Sequence, residues 1–393
     1  MDYNEIRNNS AKWAEIDLDA LAQNMKNIRA KVGPKRRIAA VIKANAYGHC
    51  ALEVMNVLLN SGADQFAVSS LEEAMELRRL DHFHDILVLG NIPYGTERMS
   101  VGYNIQHAVT SFEKAKLISD AAMKYETKAK VHIKVDTGMT RIGFQPNDEG
   151  VEEVLRIAAL PGIYVEGLFT HFATADEKDK TKAYRQFERY MEFAGKLEER
   201  GLHIPIKHTA NSAAIMEMPE TYCDMVRPGI ILYGIYPSGE VDRSQLDIKP
   251  VMSFKTRIMH VKTLPEERQI SYGGRYTSAK GDQVGTIAVG YADGYTRAQS
   301  GKAEVLFRGK RVKVIGNICM DQCMIDLNGF EDVKIGEEVV LIGTQGDEFI
   351  SADEVGARYN TIGYEVVCAV NRRVPRFFIK DGKVTGHKSY LTE

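Results

Sequence analysis

An unbroken apolar run at residues 38–42 (IAAVI) stops at Lys43, which is followed by small and turn-prone residues as far as Cys50. Runs without polar alternation read as strands buried on both faces, as in a parallel sheet. Seven further short runs follow, at 66–68, 86–89, 105–109, 131–135, 164–169, 206–208 and 230–232. Between them the spacing turns helical: Leu21, Met25, Ile28 and Val32 share one face ahead of the first run, after a short strand at 13–16. Ser70 with Glu73 and Thr110 with Glu113 have the form that caps a helix start, and the long amphipathic run 182–201 ends in a glycine. Eight strands, each followed by a helical or turn segment, predict an α/β architecture of the TIM-type (β/α)8 barrel. No G-x-G-x-x-G follows any of the strands, which argues against a dinucleotide-binding sheet.

The pattern changes at 236–249, a polar connector with Pro and Gly. Beyond it short strands prevail, at 257–262, 284–289, 304–307, 312–315, 324–327 and 339–342, with one obvious helix starting at Ser351 and Glu354. This predicts a mostly antiparallel β domain after the barrel, with the barrel at 14–245 and the β domain at 246–393.

Composition agrees with two cores: 393 residues, 44% hydrophobic and 26% charged. The 51 basic residues against 53 acidic ones give a net charge of -2, no footprint for nucleic acid or an anionic membrane, so a small-molecule ligand is expected. The first residues lack a basic segment followed by an apolar one, and no apolar run approaches the ~20 residues that span a bilayer, so a cytoplasmic protein is expected. Five scattered cysteines imply reduced thiols, and the CMDQC segment at 319–323 reads as buried small residues, with no metal site expected.

In a barrel, chemistry gathers where strands end at their C-terminal side. Lys43 stands at such a place, either as a solvated strand end or as a desolvated amine able to attack aldehydes. Ser212 and the backbone amides of Gly229 and Ile230 could cradle a phosphate, or act as ordinary caps. Arg227, before a proline, could face a ring nitrogen or a carboxylate, or form a surface ion pair; His171 could be catalytic or a satisfied core histidine.

The segments VIKANAYGH, HIKVDTGMTRIGF, LFTHFATAD, HTANSAA, VRPGIILYG, ISYGGRYT, VGYADGY, GNICMDQ and IGYEVVC, in this order between about Trp13 and Phe378, resemble the bacterial alanine racemases. The resemblance implies pyridoxal 5′-phosphate as cofactor, an amino-acid substrate, and a homodimer whose active sites are shared between subunits. It also implies that the N-terminal strand packs with the β domain. Residue by residue, it implies that Lys43 is the Schiff-base lysine and one catalytic base, and that Tyr272, arriving from the other subunit, is the second. His171 would link Tyr272 to Arg227, and Arg227 would face the pyridine nitrogen. Tyr47, Ser212, Gly229, Ile230 and Tyr364 would hold the phosphate. Arg141 would orient the cofactor's phenolic oxygen and meet the substrate carboxylate, which Met320 of the other chain would also bind. Tyr291 and Tyr364 would narrow the way in, and Lys134 matches a lysine that is carbamylated in some members.

Cys50, Gly363 and the Gly274–Arg275 pair depart from the common pattern, and Gly363 bears on selectivity through its neighbour Tyr364. The expected activity is interconversion of L- and D-alanine, supplying D-alanine for peptidoglycan. The alternatives are a racemase for serine or another amino acid, a decarboxylase, and a non-catalytic cofactor carrier. Arg227, where decarboxylases carry a glutamate, and the intact β domain argue against the last two.

Overall fold

The computed structural model describes residues 2–391. The chain divides into two compact units: one takes Ala22–Ala46 and Ala51–Ile248, the other takes the chain up to Leu21, the piece Tyr47–Cys50 and everything from Lys249.

The first unit is a parallel sheet of eight strands, Arg37–Val41, Gln65–Val68, Ile86–Val88, Gln106–Val109, Ala129–Lys134, Ile163–Phe169, Ile206–His208 and Met225–Val226. Neighbours in sequence are neighbours in the sheet as far as the seventh strand, and the eighth pairs with the first (Arg37 with Met225). The Asp224 and Arg227 amides donate to the Lys207 and Ala210 carbonyls, at 2.9 and 3.0 Å, and so bring the seventh strand to the eighth. The TIM-type barrel read from the sequence is thus present. Its strands read as continuous apolar runs because helices pack against them, as Tyr190, Phe193 and Leu197 of Thr181–Glu199 do in one cluster with Val131 and Ile133.

Two readings need correction. The eighth strand is Met225–Val226, and 230–232 falls in a 3-10 turn, Ile230–Tyr233. Pro228 and Gly229 interrupt the strand, and a short buried apolar run looks alike in a strand and in a tight turn. Helix Phe112–Lys124 is capped by Ser111, whose hydroxyl accepts from the Lys114 amide; the Thr110 hydroxyl is engaged by Asn91 at 2.8 Å. The Ser70–Glu73 capping box forms as read.

The second unit is built on a ten-stranded, mostly antiparallel sheet. Strand Lys12–Asp17 lies inside it, antiparallel to Met252–Thr263 and parallel to Arg376–Lys380. Alternation places Trp13 in a cluster with Phe377 and Val384. Sequence patterning overlooked the hairpin Arg268–Ile270 with Tyr276–Ser278, the strands Glu348–Ile350, Arg376–Lys380 and Lys383–Lys388, and the helix Gly363–Ala369. Each is short or glycine-flanked, which leaves too few alternating positions to register. Among the described residues, no helix is long and apolar enough to cross a membrane, and no disulfide joins the five cysteines.

Candidate active site

At the C-terminal ends of the barrel strands, cationic side chains converge. Arg227 follows the eighth strand directly and is almost fully buried. Its Nη1 donates to His208 Nδ1 and to the His208 carbonyl, both at 2.9 Å, and its Nη2 donates to the carbonyls of Thr170 (2.7 Å) and Thr209 (3.0 Å). Burial pushes the guanidinium down to about 10, so it remains charged at neutral pH. These four bonds lash together the loops after the seventh strand of the barrel, the strand before it, and the eighth.

His171, half-buried, follows Thr170. Burial, then the charges of Arg227, Lys134, Arg141 and Lys43, hold its imidazole well below the ordinary histidine value. It is therefore neutral at physiological pH, surrounded by basic side chains. No direct hydrogen bond joins its ring to Arg227 in this chain; the bond that Arg227 makes to a histidine goes to His208.

Lys134 ends strand Ala129–Lys134 and is 3% exposed. Burial, with Arg227 and Arg141 against a smaller opposing effect of Asp136, pushes its amine down to about 7. The loop that follows is a tight lasso. The Asp136 carboxylate accepts from the amides of Gly138 and Thr140, and the Asp136 and Phe144 amides bond across its neck to the Phe144 and Lys134 carbonyls. Gly143 closes it at φ +129, where a Cβ would lie 2.7 Å from the Asp136 nitrogen. The lasso carries Arg141 at its exposed tip.

Lys43 is not the last residue of its strand, which closes at Val41, but the first residue of a turn in which Ala44, Asn45, Ala46 and Tyr47 all adopt left-handed φ of 52–54°. Such a conformation costs roughly 1–2 kcal/mol per residue. The Ala46 amide to the Ile42 carbonyl (2.8 Å), the Ala44 amide to Glu73 Oε1 (2.6 Å) and the Ala51 amide to Asn45 Oδ1 (2.9 Å) hold it in place. Ser212 Oγ accepts from the Gly229 amide at 2.9 Å, with the Ile230 amide next in the chain. This hydroxyl and these amides are suited to a phosphate, and the basic side chains around His171 are suited to an anionic cofactor.

In the second unit Tyr47 and Tyr364 face one another, ring centroids 6.2 Å apart. Gly48, at φ +85, lies so close to helix Gly363–Ala369 that a Cβ would be 2.5 Å from the Val367 carbonyl. Gly48→Ala is expected to destabilise the fold by about 2 kcal/mol or more, read as a lowered denaturation midpoint at unchanged slope. Tyr272 sits in a 3-10 turn and is 67% exposed, Met320 is 53% exposed and Tyr291 40%. The segment 317–320 ties all three: Asn317 donates to the Tyr272 carbonyl, and the Tyr291 and Ala292 amides donate to the Cys319 and Met320 carbonyls. Buried Asp293, paired with Lys12 and Arg373, braces the Tyr291 turn, and Arg373 reaches on to Asp321.

The sequence reading did not single out His208, Asp136, Asn317, Asp293 or Arg373. His208 stands in the quoted HTANS segment, and its inward position on a barrel strand was the available signal. The others act through loop backbone, which leaves no periodic trace.

Comparison with known proteins bears on both units. The family model for the alanine racemase N-terminal domain matches residues 16–237, and that for the C-terminal domain matches residues 251–378. An alanine racemase of Clostridium perfringens is 48% identical over 379 residues, which are 96% of this chain and 98% of that one. The solved alanine racemase of Clostridium difficile 630 superposes with a TM-score of 0.94 at 42% identity, covering 98% of this chain and 99% of the other. The crystal structure of alanine racemase from Bacillus anthracis with bound L-Ala-P gives 0.91 at 37% identity, over 97% and 98%. With one family model on each unit and relatives matched along almost their whole length, the chain belongs to the alanine racemase family of enzymes.

Proposed function

We propose that the chain is a pyridoxal-5′-phosphate-dependent racemase that interconverts L- and D-alanine as a homodimer. The observation that carries this reading is the group of three cations, Lys43, Arg141 and Arg227, with the Lys134 amine pushed down to about 7, around a neutral His171 at the mouth of the barrel. Such a site favours an anionic cofactor and an α-carboxylate, and it supplies an amine able to bond covalently to an aldehyde.

When bound, pyridoxal phosphate withdraws electrons from the substrate's α-carbon and so eases removal of its proton. Lys43 holds the cofactor covalently. Ser212, the amides of Gly229 and Ile230, Tyr47 and Tyr364 hold the phosphate. Arg227 offers only donors, so a ring nitrogen facing it stays unprotonated, which restrains side reactions. Arg141 meets the phenolic oxygen of the cofactor and the carboxylate of the substrate.

Inversion needs a base on each side of the α-carbon. The amine of Lys43 serves one side. The phenol of Tyr272 serves the other from the partner subunit, with neutral His171 as its hydrogen-bond partner and Met320 beside the carboxylate. Their exposure in the single chain supports delivery to a partner, since a base working in a water-poor site must be covered. Tyr291 and Tyr364 narrow the way in and favour a methyl side chain. In a bacterial cell the product would feed peptidoglycan synthesis in the cytoplasm.

Incubating the holoenzyme with L-alanine in deuterated water tests this. D-alanine carrying deuterium at the α-carbon is expected, with L-serine turned over more slowly; cofactor binding without α-proton exchange would overturn the reading.

An amine near 7 also makes Lys134 competent to react with carbon dioxide: a nitrogen–carbon bond forms and a proton is released, leaving a carbamate whose negative charge Arg227 and Arg141 offset. Intact-mass measurement under native conditions should show the adduct above about pH 7 and its loss as the pH falls below that value and the amine takes up its proton.

A further inference from the structure

Beneath Arg227 the barrel interior carries a line of polar side chains with no part in the reading above. Arg227 Nη1 lies 2.9 Å from His208 Nδ1, His208 Nε2 lies 2.8 Å from His132 Nδ1, and His132 Nε2 lies 3.6 Å from Glu166 Oε2. Glu166 is held in turn by Lys130, 3.1 Å from its Oε1, and by the Gln106 amide. Lys130 also reaches Asp85, which pairs with Arg37, each at 3.3 Å. Arg37, Gln106 and Lys130 are first or second residues of their strands, so this group is the floor of the barrel, opposite the mouth.

Two backbone features build the line. Val131 pairs with Val165 but His132 pairs with Gly167, so Glu166 is the extra residue of a bulge, a device that re-aims a side chain. At Gly167 a Cβ would lie 2.0 Å from His132 Nδ1, so the glycine is what makes room for the ring.

The proton positions follow from either end. Arginine only donates and an ionised carboxylate only accepts. Burial keeps both imidazoles neutral, and although burial pushes Glu166 up, its neighbours His132 and Lys130 bring it below the ordinary glutamate value; the His132 Nε2 contact, at 3.6 Å, is a charge–dipole approach and not a hydrogen bond. From the mouth, His208 Nδ1 must accept, so its proton is on Nε2 and is donated to His132 Nδ1. The proton of His132 is then on Nε2, facing Glu166. From the floor, the negative charge of Glu166, 3.6 Å away, favours an N–H over a lone pair at His132 Nε2, which gives the same arrangement.

We propose that Glu166 is a positioning residue: its carboxylate fixes both buried imidazoles as Nε2–H tautomers and so keeps His208 Nδ1 an acceptor that holds Arg227 in place. The consequence for turnover rests on the role given to Arg227 above. In Glu166→Gln an amide N–H can face His132 Nε2. The line then reverses, and a His208 Nδ1–H meets an Arg227 N–H, donor against donor.

Neutron diffraction from deuterated crystals of the cofactor-free chain tests the assignment without any variant. Deuterium is expected on Nε2 of both rings, and deuterium on Nδ1 of either would overturn it. The isosteric Glu166→Gln should change the tautomer seen in 15N spectra of labelled histidines and lower kcat of the holoenzyme roughly ten- to a hundredfold, with KM changed by about twofold or less. Unchanged tautomers with unchanged kcat in a folded variant would also overturn it. Should the chain lack racemase activity altogether, the neutron result still stands or falls on its own.

Discussion

Replacing Lys43 with alanine is expected to reduce racemisation to background and to leave a protein that loses pyridoxal phosphate on dialysis. The visible absorbance of the wild-type holoenzyme, and its disappearance on borohydride reduction, should both be absent from the variant. The effect should be confined to chemistry. Lys43 opens a left-handed turn whose backbone is held by the Ala46–Ile42 bond and by Glu73 and Asn45, and alanine fits the same backbone. Thermal unfolding of the cofactor-free variant should therefore follow that of the cofactor-free wild type. Lys43→Arg should fail as completely as Lys43→Ala, because a guanidinium keeps the charge but stays protonated and is no nucleophile. A Lys43→Ala enzyme with substantial turnover would remove the covalent premise.

Tyr272→Phe is the second large effect: kcat for alanine is expected to fall roughly a hundred- to ten-thousand-fold, the range for loss of a general acid–base group. The visible absorbance should stay, because the phenol has no part in holding the cofactor. The substitution should be nearly neutral for folding, since the ring is 67% exposed in the single chain and the turn is held by the Tyr272 carbonyl, not by its hydroxyl. Proton exchange should become one-sided: the face served by Lys43 still exchanges with solvent, while the other enantiomer keeps its α-hydrogen. Equal loss of exchange on both enantiomers would argue that Tyr272 supports the site without being a base.

Much of this was legible in the sequence. The barrel could be read because strands buried on both faces are continuous apolar runs, and seven of the eight were placed to within a few residues. The eighth was misplaced because 230–232 is apolar and buried but curled into a 3-10 turn, a distinction that hydrophobicity does not carry. Lys43 stood out as a charge that ends a core run. Its left-handed turn did not, since Ala44 and Ala46 give no hint of positive φ. Arg227 was visible as an arginine before a proline, whereas its anchorage on His208 and three carbonyls depends on strands far apart in the chain. Tyr272, Tyr291 and Met320 came only from the family resemblance. They lie on short turns whose shape is set by Asn317 and Asp293, and neither composition nor periodicity points to them.

The central claim is that each active site takes Lys43 from one subunit and Tyr272 from the other, and subunit mixing tests it most directly. Lys43→Ala and Tyr272→Phe homodimers, each inactive alone, are dissociated together and allowed to reassociate. Half of the dimers formed at random are mixed, and each mixed dimer has one site with both native residues, so activity should return to about a quarter of the wild-type value. No recovery of activity, with mixed dimers demonstrated by mass, would place both residues in the site of the same chain and contradict the account.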